Sequence, residues 1–268
     1  MKRLLIALQF LTIIPIKNNM TINESNIARS SSVFVIVGFI QGLLLIVVDY
    51  ISGTFFHYEL VIGLILLALI LSNGGFHLDG LADTFDALAA KSSDNIDKDV
   101  QRRLSIMRDS SIGPIGVIAI VFSVGLKYLA LKSLSHSSYF TYYSSLLLMP
   151  ILSKWTMVLS MFYGKPARED GLGRLFISKV GFKEIAVSTL TLLLIFIGLQ
   201  VFFKHYISDN QCIFYAVLLV IMYFFCRISV NFFNKKFGGL TGDNLGAICE
   251  ITEIIFLFMV IVWSRLFI

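Results

Sequence analysis

An all-α, polytopic membrane bundle of about seven spans with interfacial helices is the fold class this sequence predicts, and three observations predict it. Of 268 residues, 57% are hydrophobic and 15% charged, where a soluble domain carries about a quarter charged. Mean hydropathy is +0.83. Apolar runs close to the ~20 residues that cross hydrocarbon at ~1.5 Å per residue recur along the chain. Four Pro and 19 Gly exclude a collagen-like or disordered chain. Helices are the default for such runs, because lone strands leave backbone groups unpaired in lipid. One integral membrane domain over 1–268 is expected.

The opening run "MKRLLIALQFLTIIPI" pairs a basic start with an apolar middle. Lys17, Asn18 and Asn19 follow it rather than a small-x-small cleavage site. It reads as a retained interfacial or partly buried helix. Spans are expected near Ser32–Ile51, Tyr58–Phe76, Ile112–Leu131, Tyr139–Tyr163, Ile185–Phe203, Ile213–Val230 and Ala247–Leu266. With the N-terminus in the cytoplasm, sixteen of the 22 Lys and Arg fall on the cytoplasmic side. Lys127, Lys132, Lys204 and Arg265 fall on the other side, and Lys154 and Arg227 lie within or at the end of spans. That bias sets the orientation. The net charge of +5 therefore reads as topology signalling rather than nucleic-acid binding. Cys212, Cys226 and Cys249 are odd in number, lack CxxC spacing and sit in apolar runs, so they read as core residues.

The same topology puts every polar cluster of interest on the cytoplasmic face. These clusters are "GGFHLDGLADTFDAL" (74–88), "MRDSSIGPIG" (107–116), "KPAREDGLGRLF" (165–176) and "GGLTGDNLGAICEITE" (238–253). The first and last share the pattern GG-x3-D-x-L with a second acid seven positions after the first. Asp79, Asp83 and Asp86 stand at i, i+4 and i+7, one face of a helix. Three like charges there repel unless a cation compensates. Mg²⁺ suits the arrangement, since it is held by one or two carboxylates plus substrate phosphates. His77 is either a general base, an orienter of a carboxylate or a structural hydrogen-bonding group.

Asp243, Glu250 and Glu253 offer a second acidic face, and carboxylates inside a membrane helix are costly and usually functional. Gly238 and Gly239 would let backbone approach a bulky ligand. Arg108 and Arg168 suit phosphates through bidentate hydrogen bonds. Lys154 lies well inside the fourth expected span, where a cavity or a pairing role is expected. The residues together describe a membrane enzyme that binds a metal–diphosphate at its cytoplasmic face.

The four motifs, in order, resemble those of the cobalamin synthase family, the adenosylcobinamide-GDP ribazoletransferases, and "LQFLTIIPI" resembles that family's opening. The resemblance covers nearly the whole chain. It implies transfer of adenosylcobinamide phosphate from adenosylcobinamide-GDP to the ribose hydroxyl of α-ribazole, or of its 5′-phosphate. GMP is released and adenosylcobalamin, or its 5′-phosphate, is formed, with Mg²⁺ as cofactor. It implies a prokaryotic inner membrane location. It also implies metal ligation by Asp79, Asp83, Asp86, Asp243, Glu250 and Glu253, with His77, Asp109 and Arg168 as catalytic candidates; Lys154 is added to these for its place inside a span, not from the resemblance. Arg108, Ser110, Arg168, Glu169, Gly238 and Gly239 would bind the nucleotide. Ser105 and Ser111 depart from that family's pattern, at the edges of one loop. The lipid bilayer is the other expected partner, nucleic acid is not, and a homo-oligomer stays open.

Rival readings are less well matched. CDP-alcohol transferases want D-G-x2-A-R, and Asp83 stands where Arg would be. Prenyltransferases want a second Asp box, which is absent. A transporter expects charges near the midplane, whereas most carboxylates here lie at one interface.

Overall fold

The computed structural model describes residues 2–15, 23–109, 111–204 and 211–267. The helices are α1 (Lys2–Leu11), α2 (Glu24–Ser30), α3 (Phe34–Ser52), α4 (Tyr58–Ser72), α5 (Phe76–Ala89) and α6 (Ile96–Ile106). They continue with α7 (Pro114–Leu134), α8 (Tyr139–Tyr163), α9 (Phe182–Phe202), α10 (Gln211–Phe237) and α11 (Gly242–Phe267). Among the described residues no strand forms, and an isolated bridge pairs Pro166 with Leu240.

Among the described residues, six helical runs are long and apolar enough to cross a membrane: Glu24–Ser52, α7, α8, α9, α10 and α11. A seventh crossing exists only if α4 and α5 are taken together, and that pair is bent by 85°. The sequence suggested a straight span over Tyr58–Phe76, but the helix stops at Ser72. Gly74 and Gly75 adopt φ of 66° and 75°, a region that costs glycine little. The Asn73 side chain accepts a hydrogen bond from Gly75 N at 3.0 Å and holds the turn.

α8 is the central helix, and nearly all of its apolar length is buried. α3 lies against it through Gly38 and Gly42, a small-xxx-small pair. A Cβ on Gly38 would stand 2.6 Å from Pro150 O. Polar groups also link α8 to its neighbours, as hydroxyls do inside membrane bundles. Trp155 Nε1 donates to Thr189 Oγ1 at 3.0 Å on α9, and Thr156 Oγ1 to Thr252 Oγ1 at 3.1 Å on α11. Outward-facing residues such as Val121, Phe122, Leu194, Ile197, Phe224 and Ile228 are exposed apolar groups, as lipid contact requires.

Cys226 and Cys249 are buried free thiols, as expected, and the Cys212 side chain lies outside the described residues. α1 packs on α2 and α3, burying Ala7 and Leu11 while Lys2 and Arg3 stay exposed. That is the partly buried helix its composition suggests. Lys127 is a correction. It is not on the far side of the protein but 4% exposed within the bundle.

Candidate active site

α5 carries Asp79, Asp83 and Asp86 on one side, but the three have different surroundings. Asp79 is exposed and Asp83 half-buried. Asp86 accepts hydrogen bonds from Gly113 N at 2.7 Å and Gly116 N at 2.8 Å. Those are unpaired donors at the start of α7, where a negative charge is favoured. Asp86 thus caps a neighbouring helix, a structural task that Asp79 and Asp83 do not share.

α11 begins at Gly242, earlier than the sequence suggested, because Thr241 and Asn244 cap it reciprocally. Thr241 N donates to Asn244 Oδ1 at 3.1 Å, and Asn244 N to Thr241 Oγ1 at 3.2 Å. Asn244 Nδ2 donates to Thr84 Oγ1 at 3.1 Å and ties this cap to α5. The two helices touch at Gly80, where a Cβ would stand 2.7 Å from Asp243 O. Asp243 thereby joins Asp79 and Asp83. Asp83 is repelled by Asp79, Asp243 and Asp86, and Arg168 is the cation that opposes them.

Arg168 arrives on the loop after α8. Two backbone bonds zip that loop to the segment before α11: Ala167 N to Leu240 O at 2.9 Å and Leu240 N to Lys165 O at 2.7 Å. A Cβ on Gly239 would meet Lys165 O at 2.5 Å, so this glycine serves chain packing rather than ligand approach. Gly238 sits beside it at φ 74°. Neither lines the cavity. Arg168 Nη2 lies 3.4 Å from Asp243 and its Nε 3.6 Å from Asp170; Arg108 lies 2.6 Å from Asp170. Three motifs are therefore chained by charge.

Other expected site residues lie elsewhere. Glu250 and Glu253 point into the bundle and pair with Lys127 at 2.7 and 2.5 Å, and Ser123 Oγ donates to Glu250 at 2.8 Å. One buried ammonium is thus shared by the two carboxylates, away from the group formed by Asp79, Asp83 and Asp243. Lys154 is fully buried, donates to Ser153 Oγ at 3.4 Å and does not line the cavity. Asp109 is exposed, and hydrogen bonds from the Ser111 side chain and from Ser111 N, the latter at 3.1 Å, hold its carboxyl below the usual carboxylate range. Glu169 is exposed and away from the cavity lining. Ser110 lies outside the described residues.

A cavity of about 280 Å³ opens beside Asp79, Asp243, Arg168 and Asp170. His77 lines it from a buried position, its Nδ1 3.4 Å from Asn73 Nδ2. Sequence reasoning missed Asn73, Asp170 and Thr241. It also missed Phe10, Leu11 and Met157, which supply much of the cavity's apolar wall. Asp170 and Thr241 stood in quoted motifs, and Phe10 and Leu11 in the quoted opening run, but none was singled out; Asn73 and Met157 carried no local signal. Among the described residues no three His, Cys, Asp or Glu side chains already converge as a metal cage.

The fold and the site define a polytopic membrane enzyme whose acidic and arginine side chains gather at one end of the bundle. A profile of the family described as cobalamin-5-phosphate synthase matches residues 3–261. A protein of Thermodesulfovibrio yellowstonii named adenosylcobinamide-GDP ribazoletransferase is 40% identical over 266 residues, 98% of this chain and 97% of its own. Proteins of the same name from Clostridium novyi and Fusobacterium nucleatum are 36% and 30% identical. They cover 96% and 100% of this chain, and 95% and 100% of their own. No solved structure matches. The chain belongs to the cobalamin-5-phosphate synthase family and is an enzyme of cobalamin biosynthesis.

Proposed function

We propose that this enzyme moves adenosylcobinamide phosphate from adenosylcobinamide-GDP to the ribose hydroxyl of α-ribazole or its 5′-phosphate. The hydroxyl oxygen bonds to the phosphorus nearer the corrinoid, and GMP leaves. The observation that carries this reading is the meeting of Asp79, Asp83, Asp243 and Arg168 from three distant segments. These carboxylates are brought together without an ammonium among them, unlike Glu250 and Glu253.

Mg²⁺ is the expected cofactor, and Asp79, Asp83 and Asp243 are the residues that would hold it. Their open arrangement suits an ion that completes its shell with phosphate oxygens rather than with a dedicated cage. When bound, it would neutralise diphosphate charge and stabilise the leaving GMP. Arg168 supplies planar donors for phosphate oxygens, restrained by Asp170 and Asp243. Arg108 steadies Asp170 from the rim. His77 and Asn73 hold each other at the inner wall. The excess of Lys and Arg in the loops at the site end supports a cytoplasmic active site and N-terminus in a prokaryotic inner membrane.

The test is purified protein in detergent with Mg²⁺, adenosylcobinamide-GDP and α-ribazole, scored for GMP and cobalamin. Product is expected from the wild type and lost in Asp79→Ala and Asp83→Ala. Undiminished product in both variants would remove the metal role.

A further inference from the structure

We infer that the 280 Å³ cavity receives the flat aromatic base of the acceptor nucleoside, with the corrinoid left outside. This rests on the transfer reaction proposed above. Size is the first argument. The volume is at the lower edge of the ~300–1,000 Å³ typical of small-molecule pockets. It admits a bicyclic base and part of its sugar; a corrin macrocycle with its side arms is several times larger.

Polarity is the second argument, and it sets the direction. Leu11, Met157, Leu240 and Leu245 line the cavity from buried positions. Asp79 and Asp170 line it from exposed positions, and Arg168 and Asp243 stand beside them, only partly covered. An apolar base enters the buried part, and its ribose then faces the carboxylates and Arg168. Phe10 offers a ring at the wall, anchored at 4.5 Å on Phe176 and 6.1 Å on Phe34, so an aromatic guest meets a fixed face. Asn73 Oδ1 already accepts from Gly75 N, and its NH₂ lies 3.4 Å from His77 Nδ1; the remaining amide hydrogen, with His77 and Thr241 also in the lining, offers polar groups able to meet a single unsubstituted ring nitrogen.

Guanine suits this wall less well. Its carbonyl, ring N–H and amino group would each need a partner, and unpaired buried polar groups are costly. A methylated benzimidazole has one acceptor nitrogen and otherwise only apolar surface.

The experiment separates the two substrates kinetically. In Met157→Ala, and in the gentler Met157→Leu should the first fail to fold, KM for α-ribazole is read at saturating adenosylcobinamide-GDP, and the reverse. We expect the α-ribazole KM to rise about tenfold in Met157→Ala and severalfold in Met157→Leu, with the other KM within twofold of wild type. Equilibrium binding of radiolabelled α-ribazole to the wild type, competed with unlabelled GMP, is the second readout. Binding weakened by the Met157 variants and resisted by GMP is expected. A rise confined to the KM of adenosylcobinamide-GDP, or displacement of α-ribazole by equimolar GMP, would overturn the assignment while leaving the transfer reaction standing. Absence of wild-type turnover would instead refute the transfer reaction, and the binding arm would still judge the cavity.

Discussion

α11 carries two acidic groups that look alike in sequence and have opposite surroundings. Asp243 stands in its first turn beside Asp79, Asp83 and Arg168, at the cavity. Glu250 and Glu253 stand about two turns further into the bundle, on Lys127. The first group lacks a resident ammonium and opens toward solvent, so it suits a diffusible cation. The second is closed by one, and it joins α7 to α11. A carboxylate's role here follows from how far its fixed cation closes it off, which neither spacing nor residue type reveals: Arg168 leaves the first group partly open, and Lys127 buries the second.

The largest effect should come from breaking the open group. Asp79→Ala and Asp83→Ala are expected to lower GMP release about a hundredfold or more at unchanged thermal stability. A loss of stability parallel to the loss of turnover would place them with the structural acids. Breaking the closed group should reverse the pattern. Lys127→Met leaves two buried carboxylates without their ammonium and is expected to cost about 3–5 kcal/mol. Adding Glu250→Gln and Glu253→Gln should restore most of the melting temperature, and a triple variant no more stable than Lys127→Met would contradict the pairing.

Asp86→Ala sharpens the contrast within α5 itself. It removes the cap from α7 and is expected to cost about 1–2 kcal/mol, with Mg²⁺ affinity changed far less than in Asp83→Ala. Calorimetry and Mg²⁺ titration on the same sample would separate the two effects. Arg108→Gln breaks an ion pair whose side chains are 57% and 61% exposed, so at most about 1 kcal/mol is expected, fading with salt. The smallest effect is at Asp109. Its carboxyl lies below the usual range in the folded protein, so its contribution is present above the unfolded value near 3.9 and is lost as pH falls through the folded value. Asp109→Asn should therefore differ from wild type at pH 7 and converge with it once acid has protonated the folded carboxyl.

Much of this was legible in the chain. Runs of apolar residues set where helices cross, because hydrocarbon tolerates only internally bonded backbone. The i, i+4, i+7 acids and the recurring GG-x3-D-x-L placed Asp79 and Asp243 in comparable positions, and the two motifs do pack together at Gly80. The family resemblance carried by the four motifs is matched by the profile over residues 3–261.

The rest depended on contacts between segments far apart in the chain. Lys127 reads as an external loop charge until α7 is seen to run beside α11. Asp86 reads as a third ligand until the start of α7 arrives with two free N–H groups. Phe10, Leu11 and Met157 look like ordinary apolar residues until α1 and α8 close around a cavity. Local patterns determine which segments are helical and membrane-bound, since those energies are summed over neighbours along the chain. Which charge meets which is decided by packing, because a Coulomb or hydrogen-bond partner can come from any segment that the bundle brings within a few ångströms.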